Sequence, residues 1–133
     1  RILVIHLKPG DLFLEGIEAE LARHHIRNAV VLSCVATLDV VSYHRVQDTQ
    51  PIPTNLFYQD SGPFEVSALQ GMLIDGQPHF HITVSDPSRT FGVHLEHGSR
   101  VLYVAEVALG ELAGLPALCR VVDEYGIPEL QIA

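Results

Sequence analysis

Histidine is the residue type that stands out for chemistry. The chain holds eight: His6, His24, His25, His44, His79, His81, His94 and His97, and four of them fall between His79 and His97. A neutral imidazole offers a nitrogen lone pair suited to zinc, nickel, copper and iron. His79-Phe80-His81 is an H-x-H pair inside a run with strand character. Side chains along a strand alternate, so both rings face one side. Asp86-Pro87-Ser88-Arg89 reads as a turn. If Ser85 pairs with Thr90 across it, the ladder puts His94 directly opposite His81. Directly opposed Cβ atoms lie ~4.5–5.5 Å apart, so His79, His81 and His94 would converge on one ion. A slip of one residue would send His94 to the other face and dissolve the site. Three imidazoles leave a position open on a tetrahedral metal, as catalytic zinc sites do. The expected cofactor is therefore a divalent transition metal, zinc before the others. His97 is left out on strand parity, and Glu96 is set aside with it. Asp86 is read as the cap of its own turn.

The elements that must position these rings follow from pattern and punctuation. Arg1 to Leu7 is a predicted strand, broken by Lys8-Pro9-Gly10-Asp11. Asp11 is a good N-cap for a helix from about Leu12 to His25, whose apolar stripe is Leu14, Ile17, Leu21 and Ala22. His24 and His25 read as a solvated helix end. Ala29 to Thr37 and Val40 to Val46 read as two further strands. Gln47 to Pro63, polar and carrying three prolines, reads as a surface excursion. Phe64 to Ile74 is a strand, Asp75-Gly76 a hairpin turn, and His79 to Ser85, Thr90 to Leu95 and Arg100 to Leu109 are strands. From Gly110 the pattern is ambiguous, and Leu118 to Val122 fits a short strand or a short helix. One early helix followed by many strands gives an α+β domain, mostly antiparallel, occupying residues 1–133 as a single unit.

Composition sets the outer limits. With 133 residues, 47% hydrophobic and 18% charged, the chain can bury one core and is not intrinsically disordered. The net charge of −8 argues against a surface that neutralises many phosphates. The only local basic cluster is Arg23 and Arg27 with His24 and His25. No apolar run approaches the ~20 residues of a membrane span. The chain begins at Arg1 without a methionine, which leaves room for an upstream segment. Cys34 and Cys119 lie in apolar stretches without partners at motif spacing, so buried reduced thiols and a cytoplasmic setting are expected.

Several signatures coincide along the chain: Leu7-Lys8-Pro9-Gly10-Asp11 before the helix, Val31-Leu32-Ser33-Cys34-Val35-Ala36 after it, Gly62-Pro63-Phe64-Glu65-Val66 ahead of a strand ending at Gly71, and Pro78-His79-Phe80-His81 leading through Ser85-Asp86 to Gly92-Val93-His94-Leu95. Their order and spacing resemble the PPC domain, "plants and prokaryotes conserved", from about Leu3 to Leu112. In plants this domain accompanies AT-hook DNA-binding motifs; in bacteria and archaea it stands alone. The resemblance implies an α+β fold, a homotrimer, and metal binding by His79, His81 and His94. Gly62 to Val66 matches the patch through which plant members contact protein partners, with Pro63 in place of its arginine. A cupin site also uses H-x-H on a strand, but the glutamate expected after the pair has no counterpart here.

Three functions are weighed. The first is a metal-binding, trimer-forming module of a family labelled DNA-binding or regulatory. The second is a hydrolase- or lyase-type enzyme using a metal-bound water on a small molecule, with Glu65 or Glu106 as candidate base. The third, direct DNA binding, is disfavoured by the charge and by the absence of the AT-hook core Arg-Gly-Arg-Pro.

Overall fold

The computed structural model describes all residues, 1–133. The elements are β1 (Ile2–Leu7), α1 (Phe13–Arg23), β2 (Ala29–Val46), β3 (Asn55–Ile74), β4 (Gln77–Ser85), β5 (Thr90–Leu95), β6 (Arg100–Glu111), β7 (Leu118–Val122) and β8 (Pro128–Ile132). Six strands form one antiparallel sheet in the order β1-β6-β2-β3-β4-β5. The far end of β2 also pairs with β5, through Tyr43 opposite Leu95 and His44 opposite His94. One edge of β2 is thus divided, its first part taken by β6 and its end by β5, and the sheet curls back on itself.

Strand alternation decides what lies inside. On β4, Phe80, Ile82 and Val84 are buried while His79 and His81 are exposed. On β5, Val93 and Leu95 are buried. The helix contributes Phe13, Leu14, Ile17 and Leu21, four apolar side chains at helical spacing, to the same core as Ile5, Leu38, Val41, Val107 and Leu109. An α+β domain with a largely antiparallel sheet and one early helix is the architecture expected from the pattern.

Three local readings need correction, and one open reading is resolved. Asp11 does not cap α1: the N-cap is Leu12 without a side-chain bond, and the Asp11 carboxylate instead accepts the Lys8 amide at 2.8 Å, closing the preceding turn. Ala29 to Val46 is one strand of 18 residues rather than two. Its alternation is interrupted by bulges, which the pattern takes for a break. β3 begins at Asn55, inside the supposed surface excursion. Leu38 faces Phe64 and Val40 faces Ser61, so Gly62 and Pro63 together oppose Asp39. The bulge is where a proline sits in a strand without forfeiting a ladder hydrogen bond. The ambiguous tail forms a separate hairpin, β7 with β8, whose turn is held by Asp123 Oδ1 accepting the Tyr125 and Ile127 amides.

Candidate metal centre

The turn from Asp86 to Arg89 sets the register on which the histidines depend. Asp86 Oδ1 accepts hydrogen bonds from the Ser88 amide, the Ser88 hydroxyl and the Arg89 amide at 2.9, 2.9 and 3.0 Å. With the turn closed, Ser85 pairs with Thr90 and His81 faces His94. On the other side of β4, His79 is aligned with Met72 and His81 with Gln70 of β3. The ring centroids of His79, His81 and His94 are separated by 4.9 to 5.6 Å. One ligand nitrogen from each lies within 4.8 Å of the other two. Nitrogens around a tetrahedral zinc at ~2.0–2.1 Å stand roughly 3.3 Å apart, so rotamer turns of the exposed His79 and His81 rings toward His94 would close the set. All three sit on the outer face of the sheet.

Two further candidate ligands join them, one imidazole and one carboxylate. His44, at the end of β2, stacks on His94 with centroids 4.0 Å apart. Glu96 Oε1 lies 2.5 Å from His44 Nδ1 and 4.0 Å from His94 Nε2. His44, His94 and Glu96 form a second set of ligand atoms within 4.8 Å, sharing His94 with the first. The exclusion of Glu96 is corrected by this geometry: it stands two residues after His94, the spacing of one strand face. His97 does point elsewhere, its Nε2 2.6 Å from Glu18. Neither Glu65 nor Glu106 belongs to either ligand set; they are aligned with Thr37 and Val35 on β2, well before His44.

The electrostatics favour neutral rings at His94 and His79. Burial, reinforced by the neighbouring imidazoles, lowers the His94 pKa to about 4. Burial also lowers that of His79, with the Arg120 charge as the next contribution. Neutral imidazole is the form that takes a metal, so the donor set suits a borderline divalent cation. In front of the rings lies an open cleft of about 690 Å³, walled on one side by Pro78, Gly92 and Val93 and roofed by the tail hairpin through Arg120, Ile127 and Pro128. Other expected features resolve simply. Cys34 and Cys119 are free and only partly buried, and burial pushes the Cys34 thiol up to about 12. The basic cluster at the helix end is neutralised by ion pairs, Arg23 with Glu20 and Arg27 with Asp75. Phe64 of the Gly62 to Val66 segment is buried, leaving Pro63 and Glu65 at the surface.

The chain, a curled antiparallel sheet with a single early helix and an outward-facing histidine cluster, belongs to the Plants and Prokaryotes Conserved (PCC, also written PPC) domain family, whose model matches residues 1–113. Among solved structures it is similar to a hypothetical protein of Salmonella enterica, at 27% identity and a TM-score of 0.84, covering 100% of this chain and 93% of that one. It is similar in fold to a metal-containing protein of Archaeoglobus fulgidus, at 22% identity and a TM-score of 0.75, covering 95% and 89% of the two chains. A Bacteroides thetaiotaomicron protein, provisionally described as DNA-binding, shares the fold at 12% identity and a TM-score of 0.85, over 98% and 92%. No curated protein matches the chain. No helix is long and apolar enough to cross a membrane.

Proposed function

We propose that this PCC domain is a metal-binding module that assembles as a homotrimer, with His79, His81 and His94 as ligands and zinc as the metal. The observation that carries this reading is the convergence of three imidazole nitrogens within 4.8 Å on one exposed face. The metal-containing relative from Archaeoglobus fulgidus supports it. His44 and Glu96 orient the His94 ring or complete the coordination. Self-association is supported by apolar side chains on the outer face of β1 and β2: Ile2, Val4, Leu32 and Val35, of which Val4 is 71% exposed. Exposed apolar side chains gathered on one face are costly in a lone chain and ordinary in an interface. Contacts with other proteins through Gly62 to Val66 would use Pro63 and Glu65. Direct DNA binding is set aside, because the net charge is −8 and five of the seven arginines are paired with carboxylates. Two free thiols fit a reducing, cytoplasmic setting.

The test is elemental analysis of untagged protein beside the His79→Ala/His81→Ala double variant. Near one zinc per chain, lost in the variant, is the expected result. Metal absent from both proteins, or equal in both, overturns the ligand assignment.

A second reading has its own observation. The cleft of about 690 Å³ opens directly onto the histidines, room for a small molecule beside the fourth coordination position. This favours a hydrolase- or lyase-type enzyme in which the metal supplies Lewis-acid chemistry. Turnover lost with chelator and restored by metal would select it over the module.

A further inference from the structure

The chain's arginines divide sharply by location. Arg1, Arg23, Arg27, Arg89 and Arg100 each hold a carboxylate, with Glu111, Glu20, Asp75, Asp60 and Asp39 respectively. Arg45 and Arg120 have no carboxylate within ion-pair distance, and both line the histidine cleft. They arrive from different elements. Arg45 follows His44 at the end of β2, and Arg120 is the central residue of β7, in the tail hairpin beyond the stretch matched by the family model. Arg120 is partly buried, and its Nε is enclosed without any hydrogen-bond partner. In a protein with 16 acidic residues against 8 basic ones, both arginines without a carboxylate partner belong to the lining of one pocket, Arg120 partly buried and Arg45 exposed.

A buried guanidinium N–H without an acceptor is an unfavourable arrangement that folding alone would select against. An acceptor arriving with a ligand removes the penalty. A guanidinium fork matches the two oxygens of a carboxylate or phosphate, and it strengthens as the surroundings exclude water. The hairpin residues Ile127 and Pro128 supply apolar walls next to Arg120. A site with a few converging polar groups among apolar walls is the usual form of a small-molecule pocket.

The geometry points to a binding site for a small organic oxyanion, carboxylate or phosphate, gripped by Arg120 and Arg45 in front of the histidine cluster. This deepens the metal-centre reading by naming the chemistry of what occupies the open side of that centre, although the arginine grip itself does not need the metal. The tail hairpin then serves as the recognition element of the cleft, adding Arg120 to the Arg45 that the matched domain supplies.

The experiment titrates the full chain with inorganic phosphate and with succinate by calorimetry, at constant ionic strength made up with sodium chloride. Zinc content is measured on every sample. At least one anion should bind saturably, with one site per chain. Arg120→Gln should weaken it about tenfold or more, the loss of one charge-assisted contact. Arg45→Gln should weaken it too, Arg120→Lys should recover part of the loss, and Arg100→Gln, which removes a paired surface arginine, should change nothing. Binding of phosphate alone or succinate alone assigns the class of oxyanion. The proposal is overturned if neither anion binds above the chloride control, or if both arginine variants bind as the parent does. Zinc content unchanged in Arg120→Gln keeps the two readings separate: anion binding without zinc would refute the metal centre alone, and zinc without anion binding would refute the arginine site alone.

Discussion

Gly71 lies on β3 opposite Phe80, with a φ of +126°. A β-carbon built there would run into the His79 carbonyl oxygen, with the His79 carbonyl carbon and the Phe80 Cα each 3.0 Å away. All three atoms are backbone, so no side chain can swing aside. Gly71→Ala therefore has two costs. The dihedral region itself is unfavourable for a residue with a side chain, by about 1–3 kcal/mol. Relieving the clash means prising β4 from β3 around Phe80, a fully buried ring, with the loss of one or two ladder hydrogen bonds at roughly 1 kcal/mol each. Together these make about 2–5 kcal/mol, a large share of the ~5–15 kcal/mol that stabilises a domain. Because the displaced segment carries His79, zinc affinity should also fall by about tenfold or more where the variant is still folded. The matched control is Gly76→Ala. Gly76 also has a positive φ, +77°, but an added β-carbon meets nothing within 4 Å. It should cost only about 1 kcal/mol and leave zinc binding intact. Urea denaturation followed by circular dichroism gives the first quantity and zinc titration with a competing chelator the second. A Gly71→Ala protein within about 0.5 kcal/mol of the parent, with unchanged zinc affinity, would refute the argument that this contact holds His79 in place.

Two further outcomes are expected. Val4→Glu places a charge in the middle of the proposed association face while leaving the core untouched, and light scattering should report smaller particles than for the parent; an unchanged mass would remove that face from the interface. The Glu18 carboxylate raises the His97 pKa by accepting its hydrogen bond. A raised histidine pKa contributes stability fully present below the unfolded value, about 6.5, and lost as pH rises through the folded value. His97→Gln should therefore be less stable than the parent in mild acid, by no more than about 1 kcal/mol for so exposed a pair, and equal to it in alkaline buffer. A difference that grows with pH would reverse the assignment.

Much of the histidine geometry was legible in the sequence because it is local. One four-residue turn fixes the pairing of β4 with β5, and alternation does the rest for His79, His81 and His94. His44 was beyond such reasoning. It meets His94 only because the sheet curls until the end of β2 reaches β5, a pairing across fifty residues that no turn encodes. Glu96, two residues along the same face as His94, lies within reach of the same alternation. The strands were read correctly where the alternation was clean. The pattern fails at Asp39 and Pro63, where a bulge hides the continuity of two long strands behind the residues that usually end them. The tail was undecidable because its hairpin makes most of its contacts outside the main core, where hydrophobic pattern carries little information.

The division of β4 and β5 into a buried row and an outward row has a consequence for how such a protein changes over time. Phe80, Ile82, Val84, Val93 and Leu95 answer to the core, while the exposed His79 and His81 answer to what approaches from outside, and the half-buried His94, stacked on His44, answers to both. Interleaved residues on one backbone are thereby subject to separate selection. The exposed positions of the outward row can gain, lose or exchange ligands without a packing penalty, so a lineage can turn from one chemistry to another while its scaffold stays the same, and the scaffold keeps any new set of side chains in register from the first generation.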